Sequence, residues 1–278
     1  MSTKSKRKKV EFRYLDHQDN SMRKLLRRYD RWYLPSSGIW DDRYMNEKRK
    51  ILTKGRNLRE FKIIKKFIKG KNKHILDAPC GYGRLSNLLA KDGYKVTGID
   101  VNKYFINIAK EEAKKNKLDI KYKTIDIFKF KASNKYDVVL NIFTSLGYFE
   151  SEEKNERFIK KLCSFVKRDG ILIIETINPY GLLKRYENKK NIALSNGLKI
   201  SYERHFDYMT STNITKTTER YPNGKVVRLA NRIRLYYPHE LIRICSKCNL
   251  KNIKILNKDG KNDNILDSFR IWLIFKKI

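Results

Sequence analysis

Four residues define the chemistry open to this chain: Asp77, Gly81, Gly83 and Asp100. His74-Ile-Leu-Asp77-Ala-Pro-Cys-Gly81-Tyr-Gly83 carries an apolar run into a glycine-bearing turn, and Val96-Thr-Gly-Ile-Asp100 ends a second apolar run on an acid. Strand, glycine turn, helix and acid-tipped strand make a nucleoside-binding half of a doubly wound sheet. The glycines let backbone approach the ligand, and the strand-end carboxylate can accept both ribose hydroxyls. A dinucleotide fingerprint needs a third glycine where this chain has Ser86. Asp77 would also repel a pyrophosphate, yet it would attract an ammonium or sulfonium.

Asp77-Ala-Pro79-Cys-Gly81-Tyr-Gly83 resembles motif I of the class I S-adenosylmethionine-dependent methyltransferases, an acid followed by x-G-x-G-x-G, with Pro79 at the first glycine position. Asp100 falls 17 residues after Gly83, close to the roughly 20 expected of a ribose acid. The resemblance implies S-adenosyl-L-methionine as cofactor and assigns roles by position. Gly81 and Gly83 would lie against its methionine part, with Asp77 facing the ammonium. Asp100 would take the ribose hydroxyls, with Val101 beside adenine. Asp126 and the Ile127 amide would bind the adenine ring, and Asn141 and Phe143 would border the sulfonium. No metal is implied.

Elements that could place these residues are legible from the patterning. Strands are expected near 74–79, 95–99, 119–124, 136–141 and 171–176, with helices near 57–69, 84–92, 103–116 and 153–168. Asn57 is expected to cap the first helix and Gly70 to close it, and Gly170 to close the last. This alternation argues a parallel sheet with right-handed crossovers. Beyond Asn178-Pro-Tyr-Gly181, runs at 199–207, 213–221 and 225–237 read as an antiparallel ribbon, the last two joined across Asn223-Gly224. A helix restarting at Pro238 and strands near 252–257 and 269–276 complete the pattern.

The fold class is therefore α/β: a doubly wound, mostly parallel seven-stranded sheet of Rossmann-like methyltransferase type with an inserted antiparallel β-ribbon. Residues 1–50 are expected to be a basic extension and lid, 51–183 the cofactor-binding core, 184–237 the ribbon on the acceptor side, and 238–278 the elements completing the core. Tyr29-Asp30-Arg31-Trp32-Tyr33 resembles the lid of this family. Phe143-Thr-Ser-Leu-Gly-Tyr148 and Arg234-Leu-Tyr236 resemble the glycine and sarcosine N-methyltransferase-like subgroup.

Tyr148, following strand four in a glycine-bearing loop, is the candidate acceptor-side residue. Arg204, His205, Arg232, Arg234 and Tyr236 could form an anion-binding rim, although on alternating strands only a subset can face one way. Among them His205 is the candidate base. Asn178-Pro179-Tyr180 follows the fifth strand and lacks a second proline, so it reads as a turn and not as a nucleic-acid amino-methyltransferase signature.

Charge is the second unusual property. The formal net charge is +34, and residues 1–73 hold 24 Lys and Arg against 8 Asp and Glu. Such a field attracts polyanions in a salt-dependent way. Lysine-rich composition accounts for part of it but not for Arg23, Arg27, Arg28 and Arg31. The acceptor nucleophile, N or O, could therefore belong to RNA or another polyanion. A small acidic or amine metabolite is the alternative, and a non-catalytic nucleic-acid-binding protein on the same fold is a third reading. Four cysteines give no disulfide framework, and Cys245-x-x-Cys248 reads as the buried face of a helix. No apolar run is long enough to span a membrane, and the basic start lacks an apolar stretch behind it. The expectation is a cytoplasmic protein.

Overall fold

The computed structural model describes residues 52–278. The basic tail, the lid segment at Tyr29–Tyr33 and the arginines at 23–31 lie outside the described residues.

Seven strands form the main sheet: β1 His74–Asp77, β2 Lys95–Asp100, β3 Ile120–Thr124, β4 Tyr136–Asn141, β5 Val166–Ile177, β10 Leu250–Asn257 and β11 Arg270–Lys277. Their order is β10-β11-β5-β4-β1-β2-β3. The pairs β1/β2, β1/β4, β2/β3 and β4/β5 are parallel, and β11 runs antiparallel between β5 and β10. The chain winds outward from β1 through β2 to β3, then returns to the other side of β1 as β4. Strand order reverses there, and a crevice opens beyond the carboxyl ends of β1 and β4.

Alternation along the strands builds the core on both faces. Leu76, Val139, Leu172, Ile174 and Leu273 point to one side, where they meet Phe158, Ile159 and Leu162 of α4 (Glu152–Ser164) and Leu241, Ile244 and Cys245 of α6 (Pro238–Ser246). Ile75, Val138, Leu140, Ile173, Trp272 and Ile274 point to the other. They meet Ile63 and Ile64 of α1 (Lys54–Lys65) and Leu85 and Leu89 of α2 (Arg84–Lys91). Helix α3 (Lys103–Lys115) packs Ile106, Ala109 and Ala113 with Cys80 and Tyr122. A short helix α5 (Pro179–Leu183) stands where the sequence reads as a turn.

The second sheet is β6 Lys189–Ala193, β7 Lys199–Asp207, β8 Thr212–Arg220 and β9 Val226–Arg234, all antiparallel neighbours. The expected ribbon has three of these strands. The fourth, β6, is a largely exposed edge of Lys-Lys-Asn-Ile-Ala whose composition carries no period-two apolar signal.

Two helix boundaries also differ from expectation. Thr53 caps α1, its Oγ1 accepting the Arg56 amide at 3.2 Å, and the helix ends at Lys65, before Gly70. Asn57 lies within it. Helix α4 ends at Ser164 because Tyr136 pairs with Val166 and its amide donates to the Phe165 carbonyl at 2.8 Å, drawing the chain into β5. Gly170 thus lies inside a strand.

Candidate functional site

The crevice at the reversal is a cavity of about 390 Å³, lined by Asp77, Gly81, Asp100, Val101, Asp126, Ile127, Phe143 and Tyr148 among others. Each comes from the end of a strand or the loop behind it, where the sheet stops and backbone turns.

Asp77 ends β1 at 3% exposure, and its Oδ2 accepts the Ser86 hydroxyl at 2.6 Å. The following turn, which includes a cis Ala78–Pro79 peptide, is stitched to both flanking strands. The Ala78 amide donates to the Leu140 carbonyl at 3.0 Å and the Cys80 amide to the Ile99 carbonyl at 2.9 Å. Gly81 then donates its amide to Asp100 Oδ2 at 2.9 Å, while Asp100 Oδ1 accepts the Asn102 amide at 2.8 Å. Burial pushes the carboxyls of both Asp77 and Asp100 up to about 6. A cation with hydroxyls nearby would restore their ionised forms. Asp126 Oδ1 accepts the Phe128 amide at 2.8 Å, fixing the loop that carries Ile127.

Three of the expected site residues stand outside this lining. Gly83 has φ +79 and caps α2, and a Cβ there would lie 2.3 Å from the Tyr122 hydroxyl. A Cβ on Gly98 would lie 2.6 Å from the same ring. The two glycines make a slot for Tyr122, whose hydroxyl donates to Asn87 Oδ1 at 2.8 Å. Asn141 is fully buried and donates Nδ2 to the Ala78 carbonyl at 2.8 Å, bracing the turn from β4. Its Oδ1 is buried without a hydrogen-bond partner among the described residues, an unusual state for a buried acceptor. His205 sits on β7 opposite Ile214 and does not reach the cavity wall.

The anticipated anion rim is also partly dismantled. Tyr236 is 1% exposed, and its hydroxyl donates to Glu152 Oε1 at 2.9 Å. Arg234 pairs with Glu152 at 3.2 Å and with Glu240, its guanidinium stacked over the Tyr236 ring. Both clamp the second sheet onto α4 and α6. The clamp ends on the Tyr148 loop, where the Arg234 amide donates to the Gly147 carbonyl at 2.8 Å.

Sequence reading missed a charged frame behind the cavity wall. Phe143 and Thr144 both take left-handed backbone, at φ 68 and 56. Glu175 of β5 holds them there: its Oε2 accepts the Phe143 amide at 2.7 Å, and its carbonyl accepts the Thr144 amide at 3.1 Å. Arg270 of β11 pairs with Glu175 and donates to Thr144 Oγ1 at 2.7 Å. Arg270 holds the Glu175 carboxyl below its usual range despite burial. On the other side, Glu60 is 2% exposed and joins Arg56 at 2.7 Å to Arg84 at 2.5 Å. A signal for it exists, since Glu60 lies on the apolar stripe of α1 with Ile63 and Ile64.

No group of three or more His, Cys, Asp or Glu among the described residues could hold a metal, and no described helix is long and apolar enough to cross a membrane.

Comparison with known proteins bears on the family and the fold. A family model described as "Methyltransferase domain" matches residues 69–227. Two curated proteins, each named "Ubiquinone biosynthesis O-methyltransferase", align with the chain. The one from Pelagibacter ubique (strain HTCC1062) is 34% identical over 149 residues, covering 54% of this chain and 60% of that protein. The one from Coxiella burnetii (strain Dugway 5J108-111) is 36% identical over 118 residues, covering 42% and 49%. The chain thus spans about half the length of the curated relatives it matches. Among solved structures, an S-adenosylmethionine-dependent methyltransferase from Clostridium acetobutylicum ATCC 824 superposes with a TM-score of 0.71 at 15% identity, covering 85% of this chain and 98% of its own. An S-adenosylmethionine-bound amino pentose methyltransferase from Micromonospora echinaspora gives 0.65 at 10% identity, covering 86% and 98%. These two likenesses are of fold.

Proposed function

Because the chain belongs to the methyltransferase-domain family, we propose that it transfers the methyl group of S-adenosyl-L-methionine to an oxygen nucleophile of a small molecule. The observation that carries this reading is the tie between Gly81 and Asp100 across the reversal point, with open cavity beside it. A Cβ built on Gly81 meets nothing within 4 Å, so the turn presents bare backbone to a ligand. Asp100 would hold the ribose, Asp126 and Ile127 the adenine, and Asp77 the methionine ammonium through its Ser86-anchored carboxylate. Gly83 and Asn141 act one layer behind, setting the turn that the ligand touches.

When bound, the cofactor supplies a methyl carbon already activated by its sulfonium. The protein's part is orientation and exclusion of water. Tyr148 borders the acceptor side; burial raises its phenol well above the ordinary value, so it stays protonated, a donor available to the acceptor. His205 is not part of the cavity lining and is not retained as a base.

A small-molecule acceptor replaces the RNA or polyanion anticipated from net charge. Phe143, Tyr148 and Phe149 from the loop after β4 line the cavity, and the relatives at 34% and 36% identity carry the name of a ubiquinone biosynthesis O-methyltransferase. That name also favours oxygen over the nitrogen acceptor of the glycine and sarcosine subgroup, which is not carried forward.

Incubation with methyl-labelled S-adenosylmethionine and, separately, a metabolite extract or total RNA tests the proposal. Label is expected in the low-mass fraction. Label in RNA that vanishes with ribonuclease, or in neither, would overturn it.

A further inference from the structure

We propose that Cys163 and Cys248 form an oxidative modification site, which a small-molecule disulfide converts to an intramolecular disulfide stapling α4 to the turn behind α6. Neither residue lines the cavity, so the site is separate from the one already described.

Three of the four cysteines meet at one place. Cys163 stands in the last turn of α4 and Cys245 in the last turn of α6, and the Cys163 thiol donates to Cys245 Sγ at 3.9 Å. Cys248 follows the end of α6, its amide donating to the Cys245 carbonyl at 2.9 Å, and its thiol shares a side-chain hydrogen bond with Cys163. Cys163 is thus the middle sulfur of the three. They are not a metal site. An apolar core asks only for volume at such positions, whereas sulfurs in mutual contact add redox chemistry.

The three differ in access. Cys163 and Cys245 are fully buried, whereas Cys248 is only half-buried. Cys163 and burial hold the Cys248 thiol up, and the ammoniums of Lys277 and Lys160 draw it down. Lys277 also donates to the Cys248 carbonyl, and Lys160 pairs with Glu156 at 3.1 Å. Cys248 is therefore the sulfur a solvent-borne reagent meets, with Cys163 directly behind it. The Cys248 thiolate attacks one sulfur of the small disulfide, whose S–S bond breaks, and the thiolate that leaves takes up a proton. Cys163 then gives up its proton and attacks Cys248 Sγ in the mixed disulfide, releasing the second small thiol. Two protein thiols are oxidised and one small disulfide is reduced to two thiols. The new bond closes a loop that carries β6 to β9, restricting the unfolded chain. It also ties α4 to the end of α6, opposite the helix starts where Glu152 and Glu240 hold Arg234.

Treating the folded full chain with excess oxidised glutathione at about pH 8.5, then alkylating in urea and mapping peptides by mass spectrometry, tests this. The unaltered chain is expected to yield a Cys163–Cys248 cross-linked peptide with no glutathione retained on either residue. Its urea midpoint should rise on oxidation, and dithiothreitol should reverse both changes. Cys163→Ser should stall at the mixed disulfide, with glutathione left on Cys248, while Cys245→Ser should leave the cross-link in place. Should Cys163→Ser fail to fold, Cys248→Ser, at the half-buried position, should slow oxidation of Cys163 at least tenfold. Thiols that all stay reduced, glutathione retained on Cys248 of the unaltered chain, or a bond from Cys245 to either partner would overturn the proposal. So would an unchanged urea midpoint, or oxidation of Cys163 at the same rate without Cys248.

Discussion

Asp100 accepts the Gly81 amide at 2.9 Å, so the tip of β2 fixes the turn that follows β1. One carboxylate oxygen shapes the glycine turn while the other braces the start of α3 through Asn102. The proposed ribose acid is thus also the residue that holds the cofactor's bed in place.

Asp100→Ala should therefore weaken S-adenosylmethionine by about 100-fold or more, from the loss of charge-assisted hydrogen bonds worth roughly 1.5–3 kcal/mol each. Isothermal calorimetry measures this, with circular dichroism showing the fold retained. An affinity near that of the unaltered protein would remove Asp100 from the site.

The two raised carboxyls give stability and binding opposite pH slopes. Asp77 and Asp100 have folded values of about 6 against an ordinary value of 3.8, so the folded chain binds more protons than the unfolded one between these limits. Their contribution to stability is fully present below about pH 4 and is lost as pH rises through about 6, on the order of 3 kcal/mol per group. Affinity for the cationic cofactor needs them ionised and should fall as pH drops below about 6. Urea unfolding of the ligand-free protein and calorimetry at pH 5 to 8 would show the crossing. Parallel slopes would contradict it.

Gly147→Ala should destabilise the protein by about 2–4 kcal/mol. The residue has φ +78, and a Cβ there would lie 1.9 Å from the Arg234 carbonyl oxygen, backbone that cannot swing aside. The urea midpoint reads the loss, and an unchanged midpoint would mean that the second sheet does not press on the Tyr148 loop.

Glu175→Ala should cost about 3–5 kcal/mol, because Arg270 is left buried without its carboxylate and the Phe143 amide loses its acceptor. Glu175→Gln keeps an acceptor oxygen and should cost less. Equal losses for the two variants would show that charge pairing alone sets the value of this position.

What the sequence determined by itself is local. An apolar run entering glycines, an acid closing each strand and the alternation of periods two and 3.6 are properties of short segments, because dihedral preference and face patterning act over a few residues. From them follow the doubly wound sheet and the place of Asp77, Gly81, Asp100 and Asp126 at its rim. What only tertiary structure decided joins residues far apart in the chain. Glu175 and Arg270 stand 95 positions apart and meet only because β11 inserts beside β5. The Gly83 and Gly98 slot exists because β3 brings Tyr122 across it, and Arg234 finds Gly147 because the second sheet folds back over the loop after β4. Such contacts depend on strand order and crossover, which no single segment encodes. The same holds for the three guanidiniums, one each from α1, α2 and β11, that converge on the Phe143 ring.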